Sequence, residues 1–338
     1  MCTTQERIKD NIFYEAYKLH IRGDFQNLEK FNNILKKTVI EEKIGNESKF
    51  GEVFRGKILN KKNDKLISIK KIPMNLEDLR IFLKNQHNDR SIIFSSTNIW
   101  REIFMLRICN KLVKMKKSIH LPMHYMHVYT SNNLFTKKVA KNGPFLYAYN
   151  ELADEDLKSW SSESRTHDEW ISCFLQIFFG LYVLQYYCGF VHNDLHWGNV
   201  LVFKVKKGGS WLYKIRDQDF YIPNEGFLFV LWDFGMTTLF SGIKECGEHP
   251  KCCQDFLKIL NTPKWIKKYY KDVPVPRTVS DLCLFIRSGE YKSMEDMLSK
   301  VISKFTTSRK NYVLETFHVG SSCLPVSTTK NSGWHSPV

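Results

Sequence analysis

The stretch from Trp170 to Val191 runs for 22 residues without a charge. That is long enough to cross a bilayer. Gln176 and Gln185 interrupt it, its flanks carry no basic bias, and Ile171, Phe174, Leu175, Phe178 and Leu181 recur at helical spacing. The expected element is therefore a helix buried inside a large domain, with no membrane span. The chain is big enough to bury it: 338 residues, 43% of them hydrophobic, predict one two-lobed domain or two ordinary ones. Such a composition excludes disordered and collagen-like classes, and the length excludes a tiny binding module.

The chemistry-bearing residues follow that helix directly. His192-Asn193-Asp194-Leu195-His196-Trp197-Gly198-Asn199 precedes the apolar run Val200-Leu201-Val202, and Asp233-Phe234-Gly235 ends the apolar run Phe227 to Trp232. An Asp with an Asn five residues on is the spacing of a phosphoryl-transfer loop, in which the Asp accepts a hydroxyl proton and the Asn binds a metal. Asp233 would hold Mg²⁺ against the phosphates. Either motif alone arises by chance; in order, each beside a β-like run, they reinforce one another. The first half supplies further parts. Lys70 in Ile67-Ser68-Ile69-Lys70 fits the strand lysine that contacts phosphates, and Glu102 fits its helical ion-pair partner. Ile44-Gly45 through Gly51-Glu52-Val53 fits a glycine-rich phosphate loop, although its middle glycine is missing and it is one residue longer, which predicts weaker nucleotide closure.

With these residues the chain resembles a eukaryotic protein kinase, and most closely the haspin family. Asp194-Leu195-His196-Trp197-Gly198-Asn199-Val200-Leu201 is similar to that family's catalytic loop, with His-Trp-Gly in place of the commoner Lys-Pro-Glu. Glu42-Lys43-Ile44-Gly45 and Phe50-Gly51-Glu52-Val53-Phe54 are similar to its phosphate loop. The resemblance spans about residues 40–300 and implies an α+β, bilobal protein-kinase fold. It places a β-rich N-lobe with one main helix at 39–149 and a mostly helical C-lobe at 150–320; loose helical spacing predicts a helical extension at 1–38, and Ser/Thr/Pro-rich composition a disordered tail at 321–338. It implies ATP and Mg²⁺, with Asp194, Lys70 and Glu102 catalytic, and Asn199 and Asp233 on the metal. Ile44, Gly45, Gly51, Val53, Lys70, Glu151 at the hinge, Asp156 at the ribose, Asn199 and Asp233 would surround the nucleotide. The same resemblance implies a Ser/Thr protein substrate, such as a histone tail on chromatin, and a nuclear site of action.

Some features depart from the pattern. The family replaces Asp-Phe-Gly, which this chain keeps, so metal binding is expected to be more conventional. Asn193 stands where most kinases carry the Arg that pairs with a phosphorylated activation loop, so activation by loop phosphorylation is not expected. No Ala-Pro-Glu follows Asp233, and the stretch from Asn199 to Asp233 is long, with Gly208-Gly209 expected to turn a hairpin between strands at 200–206 and 211–215. His192 is expected to support the loop from beneath; His196 either packs or touches substrate or nucleotide.

Charge is uneven: residues 1–150 hold 28 Lys+Arg against 14 Asp+Glu, residues 151–338 hold 22 against 21. The basic half would suit nucleic acid or an anionic surface, or serve only solubility. Glu151, Asp154, Glu155 and Asp156 would give a basic tail acidic ground, unless they simply start a helix. Nine scattered cysteines and no apolar leader predict a reduced, intracellular monomer; Cys246, His249, Cys252 and Cys253 fit zinc less well than free surface thiols. Two other classes remain open. Aminoglycoside- or choline-type small-molecule kinases share the His-x-Asp-Leu-His-x-Gly-Asn loop, and a pseudokinase scaffold would explain the altered glycine loop.

Overall fold

The computed structural model describes residues 3–8, 36–48, 51–59, 64–78, 80, 97–130, 144–239, 250–261, 277–306 and 312–320. These divide into two compact units. One takes the described residues within Arg7–Lys111 and Pro122–Leu152, the other those within Met1–Glu6, Leu112–Leu121 and Ala153–Thr329. Most of the expected helical extension, the terminal tail and the Cys246/His249 segment lie outside the described residues, as do the side chains of Cys252 and Cys253.

The first unit is a five-stranded antiparallel sheet in the order β1-β2-β3-β5-β4, made of Thr38–Ser48, Gly51–Ile58, Lys65–Pro73, Phe145–Glu151 and His124–Thr130 for β1, β2, β3, β5 and β4. β-Branched residues at Ile67, Ile69 and Ile72 suit a pleated, buried surface, and all three are buried. The long helix is Asn98–Lys114, here α2, after the short α1 at Thr4–Ile8. Asn98 begins the helix and accepts the guanidinium of Arg101 through Oδ1. Across β1, β2 and β3, Glu52 pairs with Lys43 and Lys71, and Glu41 with Lys57 and Arg55, so two carboxylates offset part of the charge of four cations on this sheet.

In the second unit, Leu157–Trp160 (α3) precedes α4, His167–Cys188, the helix foreseen from the uncharged run. Thr166 and Glu169 form a reciprocal capping box at its start, and Gly189 ends it in the left-handed conformation. It has the length and hydropathy of a membrane span, yet 94% of its most apolar window is buried inside the protein. Its glutamine explains itself: Gln176 donates from Nε2 to Phe227 O and accepts from Phe229 N through Oε1, holding β11 (Phe227–Leu231), the strand that leads to Asp233. A buried amide is tolerated because both its ends are satisfied.

The expected Gly208-Gly209 hairpin does not form. β8 (Val200–Lys204) pairs with β11 and with the two-residue β6 (Glu155–Asp156), whereas β9 (Ser210–Ile215) pairs with β10 (Gln218–Pro223) and, in parallel, with β13 (Val313–Val319). The glycines, at φ 114° and 77°, carry the chain from one sheet to another. A Cβ on Gly209 would lie 2.8 Å from Leu314, so a side chain there meets the strand that closes the second sheet. The true hairpin turns at Arg216-Asp217, with Arg216 at φ 50°.

Candidate active site

In the sheet unit the register aligns Ile44, Val53, Lys70 and Ala148 in one row across β1, β2, β3 and β5. Lys70 is 2% exposed, and its Nζ lies 2.8 Å from both carboxylate oxygens of Glu102 on α2. A buried ammonium needs such a partner, since desolvation otherwise drives it neutral. Gly51, at φ 143°, begins β2 where a Cβ would lie 2.4 Å from Lys71 O, so the phosphate-loop strand approaches β3 more closely than any side chain allows. Gly45 lies in β1, but its surroundings, and Lys49 and Phe50, fall outside the described residues.

Glu151 departs from expectation. It is 4% exposed; its carboxylate accepts from both Nε and Nη2 of Arg7 and, at 3.0 Å, from Met123 N. The side chain is a structural clamp, so only backbone remains for a nucleotide at this residue. The carboxylates that follow it, expected as acidic ground, also carry structural bonds. In the second unit Asp154 accepts Lys204 N, Glu155 pairs with Lys204 Nζ at 3.6 Å, and Asp156 Oδ1 caps α3 through Ser159 N. These carboxylates begin a helix and bind a strand.

The Asp194 loop belongs to the second unit and is held mainly by backbone. Asn199 donates from Nδ2 to Asp194 O at 2.8 Å. A carbonyl can only accept, so the amide orientation is fixed and Oδ1 faces the other way. Trp232 N donates to Asn199 O at 2.9 Å, and His192 Nε2 bonds Trp232 O at the same distance. His192, itself buried, packs against the fully buried Phe234 with the rings tilted at 40°. Asp233 takes a left-handed φ of 60° and stays half-buried. The Asp194 carboxylate is about half exposed, with His196 Nε2 4.0 Å away. His196 caps the turn Trp197–Asn199, its Nδ1 accepting from Gly198 N, and burial pulls its pKa down against the attraction of Asp194.

Three supports escaped the sequence reading, all on α5 (Pro250–Asn261). Asp255, 1% exposed, accepts His192 N at 2.6 Å and Asn193 N at 3.2 Å, and burial raises its pKa against the pull of His192 and those amides. Lys258 donates to Asn193 O, and the carbonyl of Ile259 takes the indole N–H of Trp197 at 2.8 Å. A charged residue beside buried Phe256 on the helix's inner face was the available signal.

Among the described residues no three His, Cys, Asp or Glu side chains gather as a self-sufficient metal cage. Mg²⁺ in phosphoryl transfer asks for less, one or two protein oxygens plus phosphates, and Asn199 Oδ1 with the Asp233 carboxylate suits it. A strand lysine paired to a helix glutamate, and an Asp/Asn loop followed by Asp-Phe-Gly, are the parts of a protein kinase. A family described as haspin-like kinase domain matches residues 7–244, and the chain belongs to that family. A Frog virus 3 (isolate Goorha) protein named as a serine/threonine-protein kinase, 019R, is 45% identical over 76 residues, 21% of this chain and 9% of that protein's length.

Proposed function

We propose that the chain is an active haspin-like Ser/Thr protein kinase that transfers the γ-phosphate of ATP to a protein hydroxyl with Mg²⁺. The carrying observation is Asn199 bonded to Asp194 O, because it presents an amide oxygen and a carboxylate from one rigid loop. Asp194 orients the incoming hydroxyl and accepts its proton, its half-exposed carboxylate remaining accessible to substrate. Lys70, held by Glu102, contacts the α and β phosphates. Bound Mg²⁺ neutralises phosphate charge, and Asn199 and Asp233 are the residues that would hold it. Val53 and Ile44, cross-strand partners, flank the nucleotide; Asp156 keeps Oδ2 for a ribose hydroxyl while Oδ1 caps α3.

A histone tail as substrate and nuclear action rest on family membership alone. The test is transfer of labelled γ-phosphate to histone tails, other acidic and basic proteins, choline and aminoglycosides, with Asp194→Ala as control. Label on protein, absent from the variant, is the expected result. Label confined to a small molecule, or nucleotide binding without transfer, would overturn the reading.

A further inference from the structure

Asn193 is the residue immediately before the proposed base, and it is tied on two sides. Its backbone is gripped by α5: N–H to Asp255 Oδ1 at 3.2 Å, and carbonyl to Lys258 Nζ. Its side chain reaches the other way. Nδ2 donates to Met236 O at 2.9 Å and Thr238 Oγ1 at 3.1 Å, with Val191 O more distant at 3.5 Å. Met236 and Thr238 lie three and five residues past Asp233, where β12 (Thr238–Leu239) pairs with β7 (Phe190–Val191). The amide's two hydrogens thus meet two acceptors on the segment that follows the metal-binding carboxylate. The residue's φ of 64° is left-handed, a conformation that Asn tolerates better than most side chains.

An arginine at this position would bring a charge that calls for an anion. A carboxamide needs only a carbonyl and a hydroxyl, which the chain itself supplies.

We infer that Asn193 is a positioning residue: through its carboxamide it fastens the Asp194 loop to the segment after Asp233, so the two carboxylates keep their relative placement without a phosphate on that segment. The inference rests on the protein-kinase reading above. Asn193→Asp keeps the shape and the tolerance for the left-handed backbone but sets an acceptor against Met236 O. Asn193→Gly keeps the backbone freedom and drops the bridge.

The experiment uses full-length, phosphatase-treated protein and measures kcat, KM for ATP, nucleotide affinity and melting temperature for each variant. Wild type should be unaffected by phosphatase. Both Asn193 variants should lose about 100-fold in kcat with nucleotide affinity nearly unchanged, as expected for a misplacement of about 1 Å at the reacting groups. Thr238→Val should lose about 10-fold, and Thr238→Ser should recover it, because one hydroxyl acceptor is the difference.

Wild-type kcat in both Asn193 variants would overturn the inference. So would a loss accounted for entirely by a smaller folded fraction, or inactivation of wild type by phosphatase. A wild type that transfers no phosphate to any acceptor sinks the kinase reading and this inference with it, and is told apart because no variant comparison is then needed.

Discussion

The two units hold their candidate reactive groups by different means. Lys70 is held by the carboxylate of Glu102 in a buried ion pair. Asp194 is fixed through its neighbours' backbones, by Asp255, Lys258, Asn199 and Trp232, while its carboxylate stays half exposed. The difference follows from the work proposed for each. A lysine that meets phosphate needs a permanent charge, which a buried carboxylate secures, whereas a base must keep its oxygens uncommitted until the hydroxyl arrives.

The comparison predicts a graded set of failures. Asp194→Ala should lower kcat most, by about 10³-fold, with the melting temperature nearly unchanged, since the carboxylate makes no bond that holds the loop. Glu102→Gln should cost about 100-fold in turnover and destabilise by about 3–5 kcal/mol, because it leaves a buried ammonium without its counter-charge. Lys70→Met combined with Glu102→Leu should restore the stability and none of the activity, read by denaturant unfolding beside the phosphotransfer assay. Asp255→Ala should orphan two buried amides and destabilise by about 2–4 kcal/mol while lowering kcat; equal stability with normal kcat would show that α5 is not the loop's anchor.

Acid should separate the two units. Burial lowers the His124 pKa from 6.5 to about 4, against the hydrogen bond that its ring gives to Asn150 Oδ1, and burial also holds its neighbour His127 well below the ordinary histidine value. Between pH 6.5 and 4 the unfolded chain takes up a proton at His124 that the folded unit refuses, so stability falls as pH falls, by about 3 kcal/mol from this residue. Asp255 has the opposite sign. Its raised pKa makes the folded state bind a proton first, so its contribution rises as pH falls through that pKa toward 3.8. Hydrogen exchange from pH 7 to 4 should therefore show strands β4 and β5 losing protection before α5. The smallest effect expected is at Lys214–Asp219, an exposed cross-strand pair in the β9–β10 hairpin; Lys214→Ala should shift stability by about 0.5 kcal/mol or less.

Much of this was legible because local chemistry leaves local marks. The buried helix showed in its uncharged run, and the strand lysine, the Asp/Asn loop and Asp-Phe-Gly showed in their spacing, since each must sit at a strand end or turn whose neighbours have fixed character. Gly208-Gly209 was misleading: two glycines announce a turn but not which strands it joins. Asp255, Lys258 and Arg7 were invisible because their partners lie 62, 65 and 144 residues away.

The sequence by itself determined which residues could do phosphoryl chemistry and the order in which the chain presents them. Tertiary structure alone decided which carboxylates are spent on structure, as Glu151, Asp154 and Asp255 are, and which stay open, as Asp194 does. The physical reason is that a carboxylate's function depends on what occupies its lone pairs, and those occupants arrive from segments remote along the chain.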